Sequence, residues 1–130
     1  MKKILIAEDD FFIRDAYKEI FQDNGYEVET ATDGEDALAK IKSQLFDIIL
    51  LDIMMPKVSG IVVFSQTRAI DNPNKKTPVF FITNVGDQST IEQAFKIGMD
   101  GYIIKSQFTP QQIVDEINKF LKDKENIPRS

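Results

Sequence analysis

The sequence predicts an α/β protein: a doubly wound, three-layer sandwich of (βα)5 type, with one parallel sheet and helices on both faces. Three observations predict it. Short apolar runs alternate with amphipathic segments along the whole chain. The runs are of strand length, and the third, Ile48 to Leu51, is four consecutive apolar residues, as expected of a strand buried on both faces. Helix start and stop signals fall in the segments between them.

The runs occupy residues 4–7, 28–31, 48–51, 79–82 and 102–104, giving five strands. After the first, Ile13, Tyr17, Ile20 and Phe21 recur at helical spacing, and Asn24-Gly25 supplies the stop. Thr32-Asp33-Gly34-Glu35 fits a capping box for a second helix with Ala37, Leu38 and Ile41 facing inward. A third helix starts near Ser59 and ends before Asn72-Pro73, with a poorly defined polar face. The fourth shows Ile91, Ala94 and Phe95 as its apolar residues before a stop at Gly98. Thr109-Pro110-Gln111-Gln112 opens the fifth with an N-cap, a proline at N1 and glutamine at N3, ahead of Ile113, Ile117, Phe120 and Leu121. One domain spans residues 1–123, and the polar residues 124–130 form a flexible tail. Right-handed crossovers leave few topologies, and strand order 2-1-3-4-5 is the expected one.

Composition narrows the chemistry. The chain has 130 residues, 42% apolar and 28% charged, which suits one globular domain. A net charge of -5 gives no electrostatic reason to bind nucleic acid or an anionic membrane. Without Cys or His, thiolate and imidazole metal sites and His-dependent triads are excluded. The opening MKKILIAEDD has an apolar stretch too short for a signal peptide or a membrane span, so a cytoplasmic protein is expected.

In a doubly wound sheet, ligands bind beyond the carboxyl ends of the strands, at the switch point between strands 1 and 3. Strand 1 runs into Glu8-Asp9-Asp10, strand 3 into Asp52, strand 4 into Thr83 and strand 5 into Lys105. A lone carboxylate at a strand end is usually a solvated loop residue. Four polar strand ends on one rim are a constellation. Carboxylates that face one another repel unless a cation intervenes, and an oxygen-only ligand set points to Mg²⁺, with Mn²⁺ as the other candidate.

Glu8-Asp9, then Asp52 followed by Pro56 and Gly60, then Thr83, and Tyr102 three residues before Lys105 together resemble the receiver domain of bacterial response regulators, the chemotaxis-regulator-like family. The resemblance covers residues 2 to about 122. It implies a flavodoxin-like fold and a switch, rather than an enzyme, in which Asp52 is the phosphoacceptor. The donor would be a sensor histidine kinase or a histidine phosphotransfer protein. It also implies Mg²⁺ held by Asp9, Asp52 and the main-chain carbonyl of Met54, with Glu8 acting through water. Lys105 and Thr83 would engage the phosphoryl oxygens. Thr83 and Tyr102 would relay the change to a face made by helix 4, strand 5 and helix 5, which would bind an output protein or form a homodimer. Arg14, five residues after Asp9, favours Glu8 and Asp9 as the acidic pair; Asp10 is the alternative ligand if that assignment is off by one.

The sequence departs from the family pattern at three places. Asn84 stands where a small residue is usual, and Met54 and Val85 offer no side chain to orient an attacking water, which implies slow self-dephosphorylation. Ser106 replaces the usual proline after the lysine, so a trans Lys105–Ser106 bond is expected, a cis one costing about 2.5–4 kcal/mol. Three other readings compete. A phosphohydrolase with an aspartate nucleophile would want a second Asp at the position of Met54. A flavin module would want a phosphate-cradling loop where Glu8-Asp9-Asp10 stands. A phosphorylation-independent scaffold would not need the acid, Thr and Lys set. The chain carries no output domain and is either a stand-alone regulator or a piece of a longer protein.

Overall fold

The computed structural model describes residues 1–84 and 88–126. Its elements alternate strictly: β1 (Lys3–Ala7), α1 (Phe11–Asp23), β2 (Glu27–Ala31), α2 (Gly34–Ser43), β3 (Ile48–Asp52), α3 (Gly60–Ala69), β4 (Val79–Thr83), α4 (Gln88–Ile97), β5 (Gly101–Ile104) and α5 (Pro110–Asn126). The five strands form one parallel sheet in the order β2-β1-β3-β4-β5, as the alternation predicts.

Strand periodicity divides the core in two. Leu5, Ala7, Ile49, Leu51, Val79 and Phe81 face α2, α3 and α4, where they meet Ala37, Ile41, Phe64, Ile91 and Ala94. Ile4, Ile6, Ile48, Leu50, Phe80 and Ile82 face α1 and α5 and meet Tyr17, Phe21, Ile113, Ile117 and Leu121. The central strand β3 is buried along its whole length, Asp52 included.

Capping follows the sequence with one shift. Thr109 Oγ1 accepts from Gln112 N at 3.2 Å while Gln112 Oε1 accepts from Thr109 N at 2.8 Å, a complete capping box. At α2 the cap is Asp33, not Thr32: Asp33 accepts from Asp36 N at 2.8 Å, and Asp36 accepts from Thr32 N at 3.1 Å. The cap and its acidic partner therefore each sit one residue later than the spacing suggests, while the return bond still goes to Thr32 N.

Phe95 also departs from expectation. It is 59% exposed and packs edge-on against Tyr102 at 6.2 Å instead of entering the core. β5 is one of the two edge strands, and Phe95 lies against Tyr102 on it while Ile91 and Ala94 fill the interior. At the other end of the chain, α5 continues to Asn126, through the first residues read as a tail. An ion pair of 2.5 Å between Lys2 and Glu125 ties its last turn to the start of β1. No helix among the described residues is long and apolar enough to cross a membrane.

Candidate functional site

The register of the sheet assembles the site. Ile6 pairs with Leu50 and Ala7 with Leu51, so the residues that follow, Glu8 and Asp52, leave adjacent strands at the same level. Both continue the alternation of Ile4-Ile6 and Ile48-Leu50 and emerge toward α1 and α5. Thr83 ends β4 next door, and Lys105 follows β5 in a short 3-10 turn, Lys105–Gln107. Glu8, Asp9, Asp52, Met54, Thr83 and Lys105 line one cavity of about 580 Å³ at this rim. Tyr102 is not part of it; it lies 41% exposed beside Phe95.

Lys105 is the electrostatic centre. Its Nζ sits 2.6 Å from Glu8 Oε2 and donates to Asp52 Oδ2 at 3.1 Å. Burial by itself would lower the lysine pKa, but the two carboxylates outweigh it and raise the value. Glu8 is 1% exposed, and burial pushes its pKa up to about 7; the charge of Asp52 adds to the rise and Lys105 opposes it. Glu8 Oε1 accepts from Asp10 N at 3.2 Å, whereas buried Oε2 has an ionic neighbour but no partner with hydrogen-bond geometry. Tyr17, under the site, has its pKa raised by burial and by the charges of Glu8 and Asp52.

The carboxylates of Glu8, Asp9 and Asp52 each bring an oxygen within 4.8 Å of the others. This cluster contains Asp9 and not Asp10. Asp10 is instead the N-cap of α1, accepting from Ile13 N at 3.1 Å. Three carboxylates that bring an oxygen each to one place, with no imidazole or thiolate beside them, suit a hard divalent cation such as Mg²⁺.

The loop after β3 is shaped by glycine and by one strained residue. A Cβ on Gly60 would lie 2.2 Å from the main-chain oxygen of Asp52, so only glycine lets α3 begin against the end of that strand. Met54 N donates to Asp52 Oδ1 at 3.1 Å, fixing the carboxylate from its own loop. Lys57 has φ +68° within a tight turn closed by Val58 N donating to Pro56 O at 2.8 Å. Its ammonium pairs with Asp33 and Glu35 at the start of α2, both at 3.5 Å. Spacing alone gave no sign of this tie, since its partners lie about twenty residues upstream. The Lys105–Ser106 bond is trans. Val85 lies outside the described residues, and Met54, 77% exposed, stands two residues after Asp52 where an aspartate phosphohydrolase would carry its second Asp.

Residues 4–118 match the response regulator receiver domain family. The chain belongs to that family. Receiver domains of two-component systems are signalling switches and not, in general, enzymes. This receiver domain is 36% identical over 122 residues to the chemotaxis protein CheY of Thermotoga maritima, covering 93% of this chain and 98% of that one. It is 31% identical over 122 residues to the transcriptional regulatory protein CrdR of Helicobacter pylori, covering 94% of this chain and 56% of the regulator. The chain thus spans about half the length of several transcriptional regulators that it matches. Among solved structures, the response regulator TrrA of Thermotoga maritima in complex with Mg(2+)-BeF superposes with a TM-score of 0.78 at 33% identity, over 92% of this chain and 99% of that one.

Proposed function

We propose that Asp52 accepts a phosphoryl group from the phosphohistidine of a sensor histidine kinase or a histidine phosphotransfer protein, and that the domain switches an output partner in response. The observation that carries this reading is the buried Glu8–Lys105–Asp52 arrangement at the mouth of a cavity. An Asp52 oxygen attacks phosphorus, the P–N bond to the donor imidazole breaks, and an acyl phosphate forms. Met54 N and Lys105 hold the carboxylate for that attack. As negative charge moves onto the phosphoryl group, the ammonium of Lys105 follows it, and the Thr83 hydroxyl donates to another oxygen.

Mg²⁺ would be held by Asp9, Asp52 and the Met54 carbonyl, with Glu8 acting through water. Once bound it neutralises charge on the transferring oxygens. The carboxylate cluster and the Mg(2+)-BeF complex of the similar TrrA support this choice of metal.

Movement of Thr83 toward the phosphoryl group then lets Tyr102 leave its place beside Phe95 and turn inward. That alters the face of α4, β5 and α5, where an output protein or a second copy of the chain docks. On this reading the domain works in the cytoplasm and contacts neither membrane nor nucleic acid itself.

Incubation with Mg²⁺ and a small acyl phosphate, followed by intact mass measurement, tests the core of the proposal. The wild type gains one phosphoryl group and Asp52→Asn gains none. Equal labelling of the two refutes the assignment, and labelling of neither favours the scaffold.

A further inference from the structure

The turn between β1 and α1 carries three consecutive carboxylates, Glu8, Asp9 and Asp10, and two of them belong to the carboxylate cluster. Side chains in such a turn point where their peptide planes allow. Those planes are held from α1: Arg14 Nη1 donates to the main-chain oxygen of Glu8 at 2.9 Å and of Asp9 at 3.3 Å. The guanidinium is itself placed, with Cζ 5.6 Å from the centre of the Phe11 ring. Arg14 is half-buried and is not among the residues that line the cavity. Its hydrogen bonds go to the backbone of the acidic turn and not to the carboxylates.

We propose that Arg14 is a positioning residue for the metal centre: by bridging two successive carbonyls it fixes the direction in which Glu8 and Asp9 present their carboxylates toward Asp52. The inference rests on the Mg²⁺ reading above and extends it to a residue outside the ligand set. Partners that orient metal ligands typically change affinity by about 10–100-fold when removed.

The sign of the effect separates positioning from charge. A guanidinium near an acidic cluster repels a dication, so if Arg14 acted only through its charge, deleting it would tighten Mg²⁺ binding. Positioning requires the opposite. Lysine at this place keeps the charge, but its ammonium on a flexible stem lacks the fixed plane that aims one guanidinium nitrogen at both carbonyls, and it holds them less well.

Mg²⁺ alone, titrated into the full chain and followed by calorimetry and tyrosine fluorescence, decides the matter. Far-UV circular dichroism and melting in chelator confirm that each protein is folded. Arg14→Ala is expected to raise the Kd on the order of tenfold, and Arg14→Lys to raise it by less with the charge retained. An unchanged or lower Kd in Arg14→Ala overturns the proposal. Should Arg14→Ala fail to fold, Arg14→Lys decides alone, and a wild-type Kd there overturns it. Absence of Mg²⁺ binding by the wild type is a separate result: it removes the metal reading, and this inference with it.

Discussion

Glu8→Gln in metal-free buffer gives the sharpest test of the site's electrostatics. In the fold the carboxyl of Glu8 is pushed up to about 7 from an ordinary 4.5, burial being the main cause and Asp52 the second. The folded state therefore holds this proton more tightly than the unfolded chain does. The resulting stability is fully present below about pH 4.5, where both states are protonated, and is lost as pH rises through about 7. At about 1.4 kcal/mol per pH unit the loss is about 3 kcal/mol. Glu8→Gln keeps the shape without the titration, so it should lack this decline. Urea unfolding of both proteins in chelator at steps from pH 4.5 to 8 gives the difference directly. The wild type should fall relative to Glu8→Gln across this range. Parallel curves would show that Lys105 already compensates the buried charge and that burial does not govern Glu8. Mg²⁺ should bind more tightly as pH rises through the same range, because the cation and the proton compete for one carboxylate.

Two further outcomes follow from the same contacts. Lys105→Ala should impair acyl-phosphate labelling and the phosphorylation-dependent tyrosine fluorescence far more than Ser106→Ala, since Lys105 touches both carboxylates and Ser106 is exposed; wild-type behaviour of Lys105→Ala in both assays would reduce it to a solvated strand-end residue. Asn74 is fully buried, donates to the carbonyls of Ile41 and Gln44, and accepts from Phe46 N and Thr77 Oγ1. Asn74→Ala strands these groups and should cost about 3 kcal/mol in chemical unfolding, whereas a loss under about 1 kcal/mol would mean that water replaces the side chain.

Much of the architecture was legible in the sequence because it is written in local periodicity. Apolar runs of strand length, Gly98 at a helix stop with φ +102° and the Thr109–Gln112 box each act within a few residues of themselves. Phe95 and the α2 cap were read less well for a matching reason. The exposure of Phe95 depends on β5 being an edge strand, and the start of α2 lies against the loop after β3, where Lys57 pairs with Asp33 and Gly34 abuts Val58.

The sequence by itself determined the order of the elements, the absence of imidazole and thiolate chemistry, and the placement of polar groups at strand ends on one rim. It could do so because strand alternation and the parallel crossover carry every strand terminus to the same edge. Tertiary structure alone decided that Lys105 lies between Glu8 and Asp52, that Asp10 caps a helix while Asp9 joins the carboxylate cluster, and that Arg14 braces the acidic turn from behind. These facts depend on distances between segments far apart in the chain, on burial that moves a carboxyl to about 7, and on the direction of individual peptide planes. None has a periodic signature, because each arises only when the strands come together in register.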